Sequence, residues 1–183
     1  MKVVVIGKSG QLARALIVRA SSHSIPVTSF GRADCDLSSS KDDLKAFAQN
    51  LPACDGLIMA AAYTAVDNAE SDREAAYQVN AIAPEIFADE CASRNIPLVH
   101  ISTDYVFPGD GTHPLKPSDT TDPINAYGAT KLVGENAIAA SNARAVILRT
   151  SWVFDGTGKN FMTTMLRLAA SRDTLNVVAD QIG

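Results

Sequence analysis

The run Val3-Val4-Val5-Ile6-Gly7-Lys8-Ser9-Gly10-Gln11-Leu12-Ala13 decides the fold. Four β-branched residues without polar alternation predict a strand buried on both faces. Gly7 permits a tight turn out of that strand. Gln11 to Ser21 then reads as a helix with Leu12, Ala15 and Leu16 near one face. The turn has the pattern G-x-x-G-x-x-A. At Gly10 the missing side chain lets the backbone approach an anion at a helix N-terminus, where free N–H groups and the helix dipole favour negative charge. Ala13 holds the third small position, where helix and sheet pack closely.

The same alternation continues outward. Strands are expected at Val27 to Phe30, Leu57 to Ala60, Leu98 to Ile101, Ala145 to Leu148 and, short and last, Leu175 to Val178. Between them lie helical patterns at about Lys41 to Asn50, capped by Ser40, at Glu74 to Arg94 with a kink or break at Pro84, at Asn125 to Ala140 and at Gly158 to Ala170. Strand and helix in turn predict an α/β fold, a doubly wound parallel sheet of Rossmann type. Residues 1–150 are expected to form a dinucleotide-binding domain, and 151–183 its last elements and the start of a substrate-binding region. No internal repeat or low-complexity stretch interrupts the pattern. The irregular stretch Pro108 to Asp122 is long enough to be functional.

Composition narrows the classes. The 183 residues carry 16 Lys and Arg against 20 Asp and Glu, a formal charge of -4, with no basic run, so a nucleic-acid partner is not expected. No stretch approaches the ~20 apolar residues of a membrane span. Cys35, Cys54 and Cys91 are far apart and form no C-x-x-C pair, which predicts reduced thiols in a cytoplasmic protein. His23, His100 and His113 show no metal spacing, so no metal is expected.

In this fold, ligands sit beyond the C-terminal ends of the strands. The second strand ends Ser29-Phe30-Gly31-Arg32. Gly31 stands where a carboxylate would take the ribose 2′-hydroxyl of NAD, and Arg32 suits the 2′-phosphate of NADP, so NADPH is the expected cofactor, with NADH the alternative. Asp36 and Leu37 are placed to flank the adenine, though Asp36 also reads as a turn cap. The third strand runs into Ala60-Ala61-Ala62-Tyr63-Thr64, small residues past which a cofactor fits. The fourth runs into Ser102-Thr103-Asp104-Tyr105, and Tyr127 and Lys131 follow one helical turn apart at the start of a helix. Reducing a ketone requires a hydride on carbon and a proton on oxygen. Tyr127, beside a lysine ammonium that favours phenolate, is the expected proton donor, and Thr103 is placed to hold the carbonyl oxygen.

These residues carry a resemblance. The chain resembles the extended short-chain dehydrogenase/reductases and, more narrowly, the dTDP-4-dehydrorhamnose reductase family. The likeness runs through G-K-S-G-Q, A-A-A-Y-T-A-V-D-N-A-E, V-N-A, S-T-D-Y-V-F-P-G, the segment Pro123 to Lys131, R-T-S-W-V-F at Arg149 to Phe154, and the terminal D-Q-I-G. It implies NADPH-dependent reduction of the C4 ketone of a dTDP-sugar. It also implies that Gly7, Gly10, Gln11 and Leu12 lie along the pyrophosphate, and that Ala62, Tyr63 and Thr64 line the ribose side. Thr103, Tyr127 and Lys131 would be catalytic, Lys131 also bonding the nicotinamide ribose, and Thr103, Asp104 and Trp152 would contact the sugar. Asn80 would fix the backbone around the site, while Asp67 and Glu70 read first as capping groups. A homodimer is left open. The family continues past D-Q-x-G into a C-terminal substrate region, so this chain, a fragment or a shortened product, is expected to hold mainly the cofactor half.

Three rival readings follow. A nucleotide-sugar 4,6-dehydratase needs a Glu base where Tyr105 stands. A 4-epimerase shares the Thr, Tyr and Lys. A non-catalytic subunit of the methionine adenosyltransferase regulatory type shares the nucleotide-binding half, and the intact Thr103, Tyr127 and Lys131 speak against it.

Overall fold

The computed structural model describes residues 1–111, 113–158 and 160–177. Within them β1 (Val3–Ile6), β2 (Val27–Phe30), β3 (Gly56–Met59), β4 (Leu98–Thr103) and β5 (Ala145–Thr150) form a parallel sheet in the order β2-β1-β3-β4-β5. The chain goes outward from β1 to β2 and returns past β1 to β3. This reversal makes a switch point between the C-terminal ends of β1 and β3. Right-handed crossovers then put α1 (Gln11–Ser22) on one face and α2 (Lys41–Gln49) on the other.

The main core lies on the α2 face. Val4, Ile6, Leu57, Met59 and Leu98 alternate inward from the strands and meet Leu44 and Ala48 of α2, Ile86 and Phe87 of α5 (Ala83–Ser93) and Ile138 of α6 (Ala126–Ala140). Ser40 caps α2 as expected, accepting from the Asp43 N–H at 3.2 Å. On the opposite face Val146 and Leu148 of β5 stay exposed.

Several expectations change. The long helix at Glu74 to Arg94 is divided into α4 (Arg73–Tyr77), a π-helical turn at Gln78–Ile82, and α5. Pro84 has no N–H for the Asn80 carbonyl, and the wider turn takes up the mismatch without a break. A short α3 (Val66–Ala69) precedes these and was not expected. The helix predicted from Gly158 begins later, as α7 (Phe161–Ala169), because Asn160 and Thr163 cap each other's backbone. Residues 175–177 of the predicted sixth strand are not in strand conformation. Val178, and the D-Q-I-G motif after it, lie outside the described residues. β4 and β5 run two residues further than expected, carrying Thr103 and Thr150 to the strand ends.

Candidate active site

A cavity of about 970 Å³ opens at the C-terminal ends of β1, β3 and β4. Every site residue predicted from sequence lines it: Gly7, Gly10, Gln11, Leu12, Arg32, Asp36, Leu37, Ala62, Tyr63, Thr64, Thr103, Asp104, Tyr127, Lys131 and Trp152.

The glycine turn forms one wall. Gly7 has φ +127°, and a Cβ there would lie 3.2 Å from the Ala60 carbonyl carbon and the Ala61 nitrogen. Glycine is needed both for the turn and for the close approach to β3. Gly10 is the N-cap of α1, with φ -67°, and no side chain caps the helix. Among the described residues, the N-terminus of this 12-residue helix, which lines the cavity, thus has no side-chain cap, an arrangement that suits a phosphate. Gln11 accepts from Asn160 Nδ2 at 3.0 Å, and Arg14, which the sequence reading missed, donates to the Ser9 carbonyl at 3.1 Å.

At the end of β2, Arg32 is exposed and reaches toward Asp36 at 3.5 Å. Asp36 also accepts from the Ser38 N–H and hydroxyl. Those two bonds, helped by Arg32, hold its carboxyl below the usual range. The turn-cap reading of Asp36 is therefore realised at the cavity edge. Lys8 was also missed: its stem lies against Gly31, which places a second cation in the turn facing the end of β2. Leu37 is buried in the core beneath, and burial pushes the neighbouring Cys35 thiol up to about 11.

Asn80, buried in the π turn, joins the two halves of the site. Its Oδ1 accepts from the Tyr63 N–H at 2.9 Å, and its Nδ2 donates to the Tyr63 carbonyl at 3.0 Å and to Thr130 Oγ1 at 3.2 Å. Thr130 donates in turn to the Tyr127 carbonyl at 2.8 Å. One amide thus holds the segment after β3 to the first turn of α6. Glu70 acts as a cap, accepting from the Ala126 N–H at 2.7 Å while pairing with Arg73.

Thr103, Tyr127 and Lys131 all line the cavity. Burial raises the Tyr127 phenol above its ordinary value; the Thr103 hydroxyl pulls it the other way, and Asp104 and Tyr105 push it further up. This differs from the expectation that Lys131 lowers it. The ammonium bonds the Ile101 carbonyl at 2.7 Å and His100 Nε2 at 3.1 Å, and it is not among the groups that shift Tyr127. Burial brings Lys131 down to about 8, with Glu135, one turn on, acting in the opposite sense. Glu135 itself accepts from the Ser102 hydroxyl and from Arg149, whose Nη2 lies 2.7 Å away. Thr103 donates to Asp104 at 3.1 Å. Trp152 is half exposed in the left-handed region, φ +52°, and stacks edge-on with Phe161 at 6.0 Å, so it is a cavity-wall residue and not core.

The sheet order and the glycine turn at its switch point put the molecule in the Rossmann-like class of doubly wound α/β proteins. The chain belongs to the family described as the RmlD substrate binding domain, which it matches over residues 1–183. It is 43% identical to a dTDP-4-dehydrorhamnose reductase of Sinorhizobium fredii over 183 residues, all of this chain and 61% of the relative. Among solved structures, a dTDP-4-dehydrorhamnose reductase from Clostridium acetobutylicum aligns with a TM-score of 0.90 at 36% identity, covering 98% of this chain and 63% of that one. The Bacillus anthracis reductase, solved in complex with NADP, aligns at 0.85 and 34% identity over 93% of this chain and 60% of its own. The chain thus spans about three fifths of the length of these relatives.

Proposed function

We propose that the chain supplies the cofactor half of an NADPH-dependent reductase that converts the C4 ketone of dTDP-4-dehydro-L-rhamnose to the alcohol of dTDP-L-rhamnose. One observation carries this reading: an uncapped helix N-terminus, an arginine at the end of β2, and Thr103, Tyr127 and Lys131 all line one cavity. The similarity to curated reductases over the whole chain, and the NADP complex of the Bacillus anthracis relative, support it. Residues 1–150 are read as the dinucleotide-binding domain and 151–183 as the start of the substrate region.

NADPH, when bound, supplies the hydride. The N-terminal N–H groups at Gln11 and Leu12 would hold the pyrophosphate, which Gly10 would admit. Arg32 takes the 2′-phosphate, sharing or leaving Asp36, while Ala62, Tyr63 and Thr64 bound the ribose side. Thr103 orients the ketone oxygen by a hydrogen bond. Tyr127 transfers its O–H proton to that oxygen, so hydride and proton together complete the alcohol. Asp104 and Trp152 hold the sugar, and Lys131 bonds the ribose. Free thiols and a nucleotide-sugar substrate fit a cytoplasmic setting.

The test follows NADPH oxidation with dTDP-4-dehydro-L-rhamnose, using a version of the chain extended to its relatives' length. Tyr127→Phe keeps the ring and its edge-on contact with Tyr105, so kcat should fall by about 10²–10⁴ while NADPH affinity holds. Turnover near the parent rate would remove Tyr127 from the mechanism and favour a binding-only role.

A further inference from the structure

His100 was set aside in the sequence as a histidine without metal spacing, yet it is one of the largest fully buried side chains. It points from β4 toward α6, where its Nε2 lies 3.1 Å from the Lys131 ammonium, and its Nδ1 has no hydrogen-bond partner among the described residues. A residue kept only for packing would be apolar here, because a buried polar atom without a partner is a cost. α6 runs antiparallel to β4, so Lys131, nearer the cavity along its helix, reaches past Ser102 to the strand residue farther from the cavity. Ser102 is occupied with Glu135. An ammonium has three N–H bonds and no acceptor. His100 and the Ile101 carbonyl take two of them, which leaves one for the cavity that Lys131 lines.

We propose that His100 is a positioning residue for Lys131: a neutral imidazole, protonated at Nδ1 and accepting at Nε2, that with the Ile101 carbonyl aims the remaining N–H of the ammonium at the bound nucleotide. The charged groups around the pair agree with a neutral ring. Lys131 faces it from α6 and opposes a second positive charge, while Glu135, also on α6, is bonded to Ser102 and to Arg149 of β5. The inference rests on the cofactor reading above for what occupies the cavity, but not for the state of the imidazole.

The experiment therefore has two arms on the intact chain. Long-range proton–nitrogen correlation spectra of the parent protein, from about pH 5 to about pH 7, where Lys131 carries its charge, should show His100 neutral with its proton on Nδ1 throughout. A ring protonated at Nε2, or at both nitrogens, overturns the proposal. NADPH titration should then find His100→Leu about tenfold weaker than the parent, while His100→Gln, which keeps an acceptor near the place of Nε2, binds within about threefold. Equal binding by His100→Leu and the parent also overturns it. Should His100→Leu fail to fold, the spectrum and the His100→Gln titration decide. A parent that does not bind NADPH would remove the cofactor reading, and the spectrum would still decide the state of His100.

Discussion

Arg32 and His100 show how much single side chains determine at this site. Among the described residues Arg32 is held only by an exposed pair with Asp36, a contact worth little in water, so a phosphate can replace that partner. A charge-assisted bond of that kind contributes about 1.5–3 kcal/mol. Arg32→Ala should therefore weaken NADPH binding by roughly 10- to 100-fold and NADH binding little, measured by parallel calorimetric titrations. Equal losses for both cofactors would make Arg32 structural. His100 has a consequence for stability as well. Burial, helped by the charge of Lys131, brings it down to about 3 from 6.5. Between those values the unfolded chain binds a proton that the folded chain does not. Stability from this group is thus complete above about pH 6.5 and is lost as pH falls toward 3, at about 1.4 kcal/mol per pH unit. Urea melts across that range should show a shallower pH dependence in His100→Gln than in the parent, by about one proton.

At the scale of elements, the joint between the π turn and α6 keeps the two halves of the site in register. A Cβ on Gly134 would overlap the Asn80 carbonyl oxygen, the same carbonyl that Pro84 cannot bond. Alanine favours a helix over glycine by about 1 kcal/mol, but here its methyl meets backbone that has no room to yield. Gly134→Ala should destabilise the chain by about 1–3 kcal/mol in urea melts, and should weaken cofactor binding because Asn80 also carries Tyr63. A stabilised variant would mean that α6 has room to yield at Asn80. This joint also marks the boundary of what sequence alone reveals. The glycine turn, Arg32 and the Tyr127–Lys131 spacing are legible because each needs only local geometry: a turn, a strand end, one turn of helix. The π turn is not, because it shifts the helical period by one residue in the middle of an apolar pattern. Asn80 was anticipated only through the family likeness; the third of its side-chain bonds depends on α6, fifty residues later. His100 was unreadable for a similar reason, since a polar residue inside a β-branched strand declares its partner only once α6 is packed on it. Lys8 was legible in hindsight as a cation in the glycine turn, but its approach to Gly31 depends on how β1 pairs with β2.

For the whole molecule, the sheet order brings the C-terminal strand ends to one cavity at the switch point. The α1 face over β5 stays open, with Val146 and Leu148 exposed, while the α2 face is closed by three helices. The site is consequently built from the C-terminal ends of β1 to β5 and the start of α6, with Trp152 and Val153 after β5 completing the wall. The proposed binding of NADPH is tested by calorimetric titration of the parent and of Gly10→Val. Gly10 has an extended backbone that valine adopts without strain, and a Cβ there meets open space, so the variant should fold while its methyls stand where the pyrophosphate approaches the helix. The parent should bind NADPH and folded Gly10→Val should bind at least about tenfold more weakly; a parent that does not bind, or a variant with unchanged affinity, would contradict the assignment.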